Sequence, residues 1–206
     1  EELLITFIDN LSVDVLNVIS QILAFESDDI PESVQRRLVH QLKKISPDDK
    51  PSIDNIDHLL VRLVERDSCS LAVELLESIL AVGVKITSLD FFSNKLFSDH
   101  KELCNHIITK WFLSGNLLWC RAVSDLLHNV PSEDLELKAD TALLENDEEL
   151  VFVCHKAIGW LFTIPVAAVS FILSICDSAS VTTVIEFEKL LYTPLLLSYP
   201  AALGKF

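Results

Sequence analysis

Apolar side chains recur every three or four residues along most of this chain, in segments of about 10–15 residues separated by short polar turns. Many of these segments open on a residue that commonly caps or starts a helix, such as Ser12, Pro31 or Asn116. The pattern therefore predicts about a dozen α-helices. They are expected at 13–25, 31–45, 53–66, 69–82 and 90–98, in a segment ending near Ser114, at 117–128, 131–145, 148–163, 165–176 and 181–191, and after Pro194.

Short connections make consecutive helices antiparallel neighbours, and pairs of these helices would repeat every 32–40 residues or so, as in helical-repeat proteins. The tetratricopeptide signature is absent, and no repeat clearly resembles the next. The general organisation is similar to that of HEAT and armadillo arrays. We expect an all-α fold in which residues 1–206 form one helical-repeat domain, either an irregular α-solenoid or a compact bundle, within a longer protein.

Charge and composition narrow the class of partner. The chain carries 31 acidic and 16 basic residues, a net charge of −15, and half of its residues are hydrophobic. So apolar a chain can offset the entropy of folding, which excludes an intrinsically disordered tail. An acidic surface repels a phosphate backbone, so nucleic acid is disfavoured and the expected partners are other proteins.

The five cysteines, spread singly along the chain with no CxxC pair, favour reduced thiols inside helices over a disulfide framework. We therefore expect an intracellular protein, cytoplasmic or nuclear. The first residues do not resemble a secretory signal peptide.

A run of 20 residues without a charge, 157–176, is long enough to be a transmembrane candidate. Pro165 lies inside this run and is suited to the first turn of a helix. We expect two successive core helices that meet at Pro165. The alternative is a membrane-associated protein.

No constellation of residues predicts catalysis, a cofactor or a metal. Glycine-rich phosphate loops and a GxSxG motif are absent from the sequence. Cys154 and His155 are adjacent, and adjacent helical residues point about 100° apart, so they cannot act as nucleophile and base within a helix. The remaining candidates are interpreted as structural: His100, Cys104 and His106 as helix-surface polar residues rather than zinc ligands, and Asp147, Glu148 and Glu149 as first-turn acids. Trp111, Phe112 and Trp119 are interpreted as core aromatics that pack two helices of a hairpin, and the alternative is that they line a peptide groove.

One helix is basic within this acidic chain. Its predicted apolar face consists of Val34, Leu38, Leu42 and Ile45. The opposite face, here called the basic face, consists of Arg36, Arg37, His40, Lys43 and Lys44. Such a face can match acidic groups of the same chain, dock an acidic partner, or simply be solvated.

These observations favour a non-enzymatic helical scaffold or adaptor that binds peptide or helix segments of protein partners within a multi-subunit complex. The basic face is the candidate partner-binding site. The alternatives are a membrane-associated helical protein that uses the run 157–176 and, third, an enzyme whose catalytic residues the sequence does not reveal.

Overall fold

The computed structural model describes residues 6, 8–9, 31–42, 56–65, 69–81, 88–128, 130, 136–198 and 200–201. Within these residues the fold is all-α, as predicted, and contains no strand. The helices are α1 (Glu32–Leu42), α2 (Ile56–Glu65), α3 (Cys69–Ala81), α4 (Asp90–Asp99), α5 (Lys101–Ser114), α6 (Leu117–Leu127), α7 (Asp147–Ile158), α8 (Pro165–Cys176) and α9 (Val181–Ser198), with short 3₁₀ turns at Thr141–Leu143 and Gly159–Phe162.

The chain divides into two compact units, residues 1–95 and 96–206. In the first unit, α3 packs against both α1 and α2. The facing side chains are aliphatic and fully buried, for example Leu60 in α2 and Leu75 in α3. Removing these side chains from water is the main favourable contribution to folding of this unit.

A buried carboxylate closes the start of α4 within the first unit. The two oxygens of Asp57, in α2, accept hydrogen bonds from the backbone N–H groups of Phe91 (3.0 Å) and Phe92 (2.7 Å). The hydroxyl of Ser88 accepts from the N–H of Asp90 at 3.1 Å. The first N–H groups of a helix have no partner within the helix, so these acceptors complete its N-terminus.

The second unit is built around α7. Helices α5, α7 and α9 pack one against the next, α6 packs on α5, and α8 packs against both α7 and α9. An aromatic cluster lies in its core: the ring of Phe112 is 4.4 Å from that of Trp160 and 5.9 Å from that of Phe171. Trp160 and Phe171 are 5.8 Å apart, in edge-to-face geometry that favours aromatic pairs.

The turn between α5 and α6 depends on a glycine and an asparagine. Gly115 ends α5 with φ at +66°, in the left-handed region that side chains with a Cβ avoid. A Cβ there would also lie 3.2 Å from the ring of Phe152. Asn116 then caps α6, because its Oδ1 accepts from the N–H groups of Leu118 (2.9 Å) and Trp119 (3.3 Å).

Most helix predictions that fall on described residues are confirmed to within a few residues. The apolar run 157–176 is divided as predicted: α7 passes into the 3₁₀ turn, and α8 begins at Pro165. The side chains of Leu161 and Phe171 are fully buried. In the described part of the chain, no helix is both long and apolar enough to cross a membrane.

Two helix predictions are wrong and one is not addressed. Of the helix predicted at 131–145, residues 136–140 are not helical and Thr141–Leu143 form only a 3₁₀ turn. The separate helices predicted on either side of Pro194 are one helix, α9, which continues through the proline. The helix predicted at 13–25 lies outside the described residues.

Candidate partner-binding surfaces

The basic face of α1 is only partly described. Val34 and Leu38 are buried, as predicted for the apolar face, whereas Arg36, Arg37 and His40 are exposed on the opposite side. The structure does not describe the remaining members of the two predicted faces, which are Lys43, Lys44, Ile45 and the side chain of Leu42. The predicted orientation of α1 is therefore confirmed where it can be seen.

Arg37 forms an ion pair with Asp9 of the same chain. Its Nε and Nη2 donate to the two carboxylate oxygens of Asp9 at 2.7 and 2.9 Å, and Gln41 donates to the same carboxylate at 2.8 Å. This bidentate hydrogen bonding, and then the charge of Asp9, raise the pKa of the guanidinium. For Arg37 the structure shows the intramolecular match. Docking of an acidic partner on the basic face stays a prediction.

Three of the five cysteines have thiols with a strongly raised pKa. Burial raises the pKa of the Cys104 and Cys154 thiols to about 12 and that of Cys176 to about 11. The thiolate is the nucleophilic form, so these thiols supply no nucleophile at neutral pH. His155 is exposed while its neighbour Cys154 is fully buried, as expected for adjacent residues of a helix.

In the region of His100, Cys104 and His106, the structure shows a hydrogen bond and a packed side chain. Nδ1 of His106 lies 2.7 Å from a carboxylate oxygen of Asp140, and Cys104 is buried. Across the described ranges, no group of three His, Cys, Asp or Glu side chains could hold a metal ion.

The aromatic residues around the α5–α6 turn separate into two kinds. Trp111 and Phe112 are buried, which confirms their interpretation as core side chains. Trp119 is half-buried, and its indole N–H is buried without a hydrogen-bond acceptor among the described residues. The three therefore do not line an open groove together.

The non-helical segment 136–140, which sequence analysis missed, is bound between α5 and α8 through its backbone. The N–H groups of its last four residues each donate to a side-chain oxygen of one of these helices. The acceptors alternate between α8 and α5: Leu137 to Ser170 (3.0 Å), Lys138 to Asn105 (3.2 Å), Ala139 to Ser174 (2.7 Å) and Asp140 to Thr109 (2.9 Å). We call this set of four hydrogen bonds the polar ladder.

The spacing of the acceptors in the polar ladder matches the helix repeat. Residues four apart in a helix share a face and are about 6 Å apart. Ser170 and Ser174 are four apart in α8, and Asn105 and Thr109 are four apart in α5. Leu137 is fully buried between them, which makes the ladder part of the core.

The first-turn acids of α7 have unequal roles. As predicted, Asp147, Glu148 and Glu149 all lie in the first turn. Asp147 also accepts hydrogen bonds from the hydroxyls of Ser180 and Thr183, both at 2.7 Å, and these bonds lower its pKa. This carboxylate joins the N-terminus of α7 to that of α9.

Helix α9 has one buried side and one exposed apolar side. Phe187, Leu191 and Leu195, spaced four residues apart, are buried against the second unit. On the exposed side, Val181 (78% exposed), Ile185 (48%), Tyr192 (58%) and Leu196 (47%) fall within about 60° of arc at 100° per residue. We call these four residues the apolar stripe. Glu188 and Lys189, also exposed, flank the stripe on its two edges at mid-length.

The apolar stripe was not predicted, because the helix expected from the sequence ends at residue 191, before Pro194. The signal was present in the spacing, since the pairs Val181–Ile185 and Tyr192–Leu196 each repeat at four residues. A depression of about 260 Å³ between α8 and α9 opens beside the stripe, with Ile185 and Glu188 in its lining.

Comparison with known proteins finds no similar family, no similar curated protein and no similar solved structure.

Proposed function

We propose that this chain is a non-enzymatic helical scaffold or adaptor, which binds protein partners within an intracellular multi-subunit complex. The observation that carries the proposal is the apolar stripe of α9. Contiguous apolar side chains that a fold leaves in water commonly mark a protein–protein interface, and an exposed tyrosine among them is a frequent anchor in such interfaces. The stripe is about 22 Å long at 1.5 Å per residue, long enough to receive a partner helix or an extended peptide.

A helical-repeat arrangement, similar to HEAT and armadillo arrays, is part of the proposal. The packing within the second unit supports it. Helices α5, α7 and α9 follow one another in a row, while α6 and α8 lie against members of this row. Two rows of alternating helices are what stacked hairpins produce, and such stacks present extended binding surfaces.

The protonated thiols and the net charge of −15 favour protein binding over thiol chemistry and over binding to nucleic acid. Arg36 and His40, two exposed members of the basic face besides Arg37, offer a second surface for an acidic partner.

The experiment compares affinity-captured proteins from cells that express three versions of the chain. The test variant, Ile185→Glu with Tyr192→Glu, places two charges on the apolar stripe. The matched control, Thr182→Glu with Thr193→Glu, adds the same charge at exposed positions of the same helix, away from the stripe. Circular dichroism and thermal unfolding of both variants verify that α9 stays folded.

We expect the stripe variant to lose at least one copurifying protein by tenfold or more, because an unpaired charge in a desolvated contact is costly. The control should retain that protein. If the folded stripe variant retains every protein that the natural chain captures, the stripe does not bind a partner and the proposal fails.

A further inference from the structure

The groove between α5 and α8, which residues 136–140 fill, is lined by side chains oriented to accept hydrogen bonds. The hydroxyls of Thr109, Ser170 and Ser174 donate to backbone carbonyls of their own helices, at 2.8, 3.1 and 2.7 Å respectively. A hydroxyl has one hydrogen to donate and two lone pairs, so each oxygen can still accept. Because these hydrogens are bound within the helices, the three acceptors keep their orientation whether or not the groove is filled.

The two walls of the groove are held by contacts that do not involve residues 136–140. Both α5 and α8 pack against α7. The ring of Phe112, in α5, also lies 5.9 Å from the ring of Phe171, in α8. These contacts persist when the segment leaves, so the walls and their acceptors stay in place.

The segment in the groove is recognised through few of its side chains. Among residues 137–140 only Leu137 is fully buried, whereas Lys138 is exposed and Ala139 and Asp140 are half-buried. Nδ1 of His106, in α5, lies 2.7 Å from the carboxylate of Asp140. The amides of the polar ladder carry no sequence information, because every residue except proline supplies one. Side-chain recognition therefore rests on a leucine and on an acidic residue three positions later.

We infer that this groove is a binding site for a linear peptide of a partner protein, with the pattern Leu-x-x-Asp, and that residues 137–140 occupy it as a tethered competitor. The bound segment defines the chemistry of the occupant: four amides for the polar ladder, a leucine for the core and a carboxylate for His106. The inference goes beyond the proposed function, because it uses α5 and α8 rather than the apolar stripe of α9.

The tether determines how strongly the segment competes. A segment joined to its site by a short linker has an effective concentration of about 1 mM. A free peptide that makes the same contacts displaces it only above about 1 mM, so the natural chain should bind such a peptide weakly. A chain whose own segment has left the groove should bind the peptide more tightly, by about tenfold or more.

The test measures binding of a fluorescent peptide, with the sequence of residues 136–143, to the 206-residue chain. Leu137→Ser removes the buried anchor of the tethered segment and so opens the groove. Fluorescence anisotropy should show that this variant binds the peptide about tenfold more tightly than the natural chain does. Adding Ser174→Ala to the opened chain should weaken binding about fivefold, because one acceptor of the polar ladder is lost. Adding the matched control Ser178→Ala should not.

Two altered peptides test how the groove recognises its occupant. Methylation of the amide nitrogen at the position of Ala139 removes one donor and leaves every side chain, and it should weaken binding by about fivefold or more. Serine in place of the leucine should abolish measurable binding. The inference is overturned if the folded variant Leu137→Ser binds the unaltered peptide no more tightly than the natural chain does. It is also overturned if the methylated peptide binds as tightly as the unaltered one.

Circular dichroism of each variant decides the remaining outcomes. If Leu137→Ser does not fold, the titration uses Lys138→Pro, which keeps the leucine and removes one amide, and this variant should still bind the peptide more tightly than the natural chain. If neither variant folds, even with about 1 mM peptide, the segment is a fixed part of the core and the inference is overturned. Ile185→Glu with Tyr192→Glu should leave peptide binding unchanged, so failure of the apolar stripe and failure of the groove are separate results.

Discussion

Asp57 in the first unit and the polar ladder in the second both supply backbone N–H groups with acceptors from side chains more than 30 residues away. Asp57 does so with one buried carboxylate, whose two oxygens receive the N–H groups of Phe91 and Phe92. In the ladder, four neutral side chains receive one N–H group each. One arrangement concentrates the hydrogen bonds on a charge, and the other distributes them over uncharged oxygens.

The difference shows what each solution costs. Asp57 serves two N–H groups at a helix N-terminus, where a negative charge is favoured. Burial nevertheless raises its pKa, and the hydrogen bonds from Phe92 and Phe91 offset this only in part. The ladder carries no charge on its acceptors, so it avoids the desolvation of an ion. The ladder uses one acceptor residue for each N–H group, so its four N–H groups require four residues on two helices. The carboxylate of Asp57 serves two N–H groups with a single residue.

The largest effect is expected from Asp57→Ala, which leaves two N–H groups without acceptors at once. We expect a loss of about 2–3 kcal/mol in the free energy of unfolding, because each unsatisfied buried donor costs about 1–3 kcal/mol and water can reach part of the vacated site. Urea denaturation followed by circular dichroism measures this loss. Hydrogen exchange in residues 90–99 localises it to α4.

Asp57→Asn is the matched control, because the amide keeps one acceptor oxygen at the same place. It should cost less than Asp57→Ala and leave exchange in α4 closer to that of the natural chain. Equal losses for the two variants would show that the hydrogen bonds at Asp57 do not hold the N-terminus of α4.

A single break in the polar ladder should have a smaller effect. Ser174→Ala leaves the N–H of Ala139 without its acceptor, and we expect a loss of about 1 kcal/mol in the free energy of unfolding. Ser170→Ala combined with Ser174→Ala should cost about twice as much, since each oxygen serves a separate N–H group. Ser178→Ala, at an exposed residue just beyond α8, is the control and should change stability little. A double variant as stable as this control would mean that water replaces the ladder without cost.

The smallest effect, and the sharpest test of the comparison, is pH dependence. The pKa of Asp57 lies above its ordinary value of 3.8, so the folded state holds this proton more tightly, and Asp57 contributes less stability as pH rises through that window. Asp147 has a lowered pKa, so its contribution is complete above 3.8 and is lost as pH falls through the lowered value. The stability curve of each variant, Asp57→Asn or Asp147→Asn, is subtracted from the natural curve. The difference should fall with rising pH just above 3.8 for Asp57, and it should rise with pH up to 3.8 for Asp147. The ladder variants should leave the pH dependence of stability unchanged, and a pH-dependent loss in Ser174→Ala would contradict the distinction.

Local signals made much of the fold predictable. Helix α8 has the bounds predicted from Pro165 and the apolar residues after it, and α6 begins directly after the predicted cap Asn116. The buried side of α1 follows from the spacing of Val34 and Leu38. Each of these features is decided by residues within a few positions of one another, so a single sequence contains the information.

Residues 136–140 could not be assigned in this way. The sequence favours a helix locally, because capping residues at 131–132 precede apolar residues. In the structure, the N–H groups of the segment instead donate to side-chain acceptors in α5 and α8, which replace the hydrogen bonds of a helix. Those acceptors are 31–35 residues distant in sequence, and nothing in a single chain pairs them with the segment. At Pro194 the reverse occurs: the buried residues Phe187, Leu191 and Leu195 hold α9 together despite a residue that removes a helical hydrogen bond.

The polar ladder also determines which positions of this region tolerate amino-acid substitution. It holds residues 137–140 by their amides, which nineteen of the twenty amino acids possess, so the exposed position Lys138 accepts almost any replacement except proline. Substitution is restricted instead at the four acceptor residues, which lie on α5 and α8: Asn105, Thr109, Ser170 and Ser174. We would thus expect Lys138 to vary freely among related chains, while the buried Leu137 and the four distant acceptor residues stay restricted.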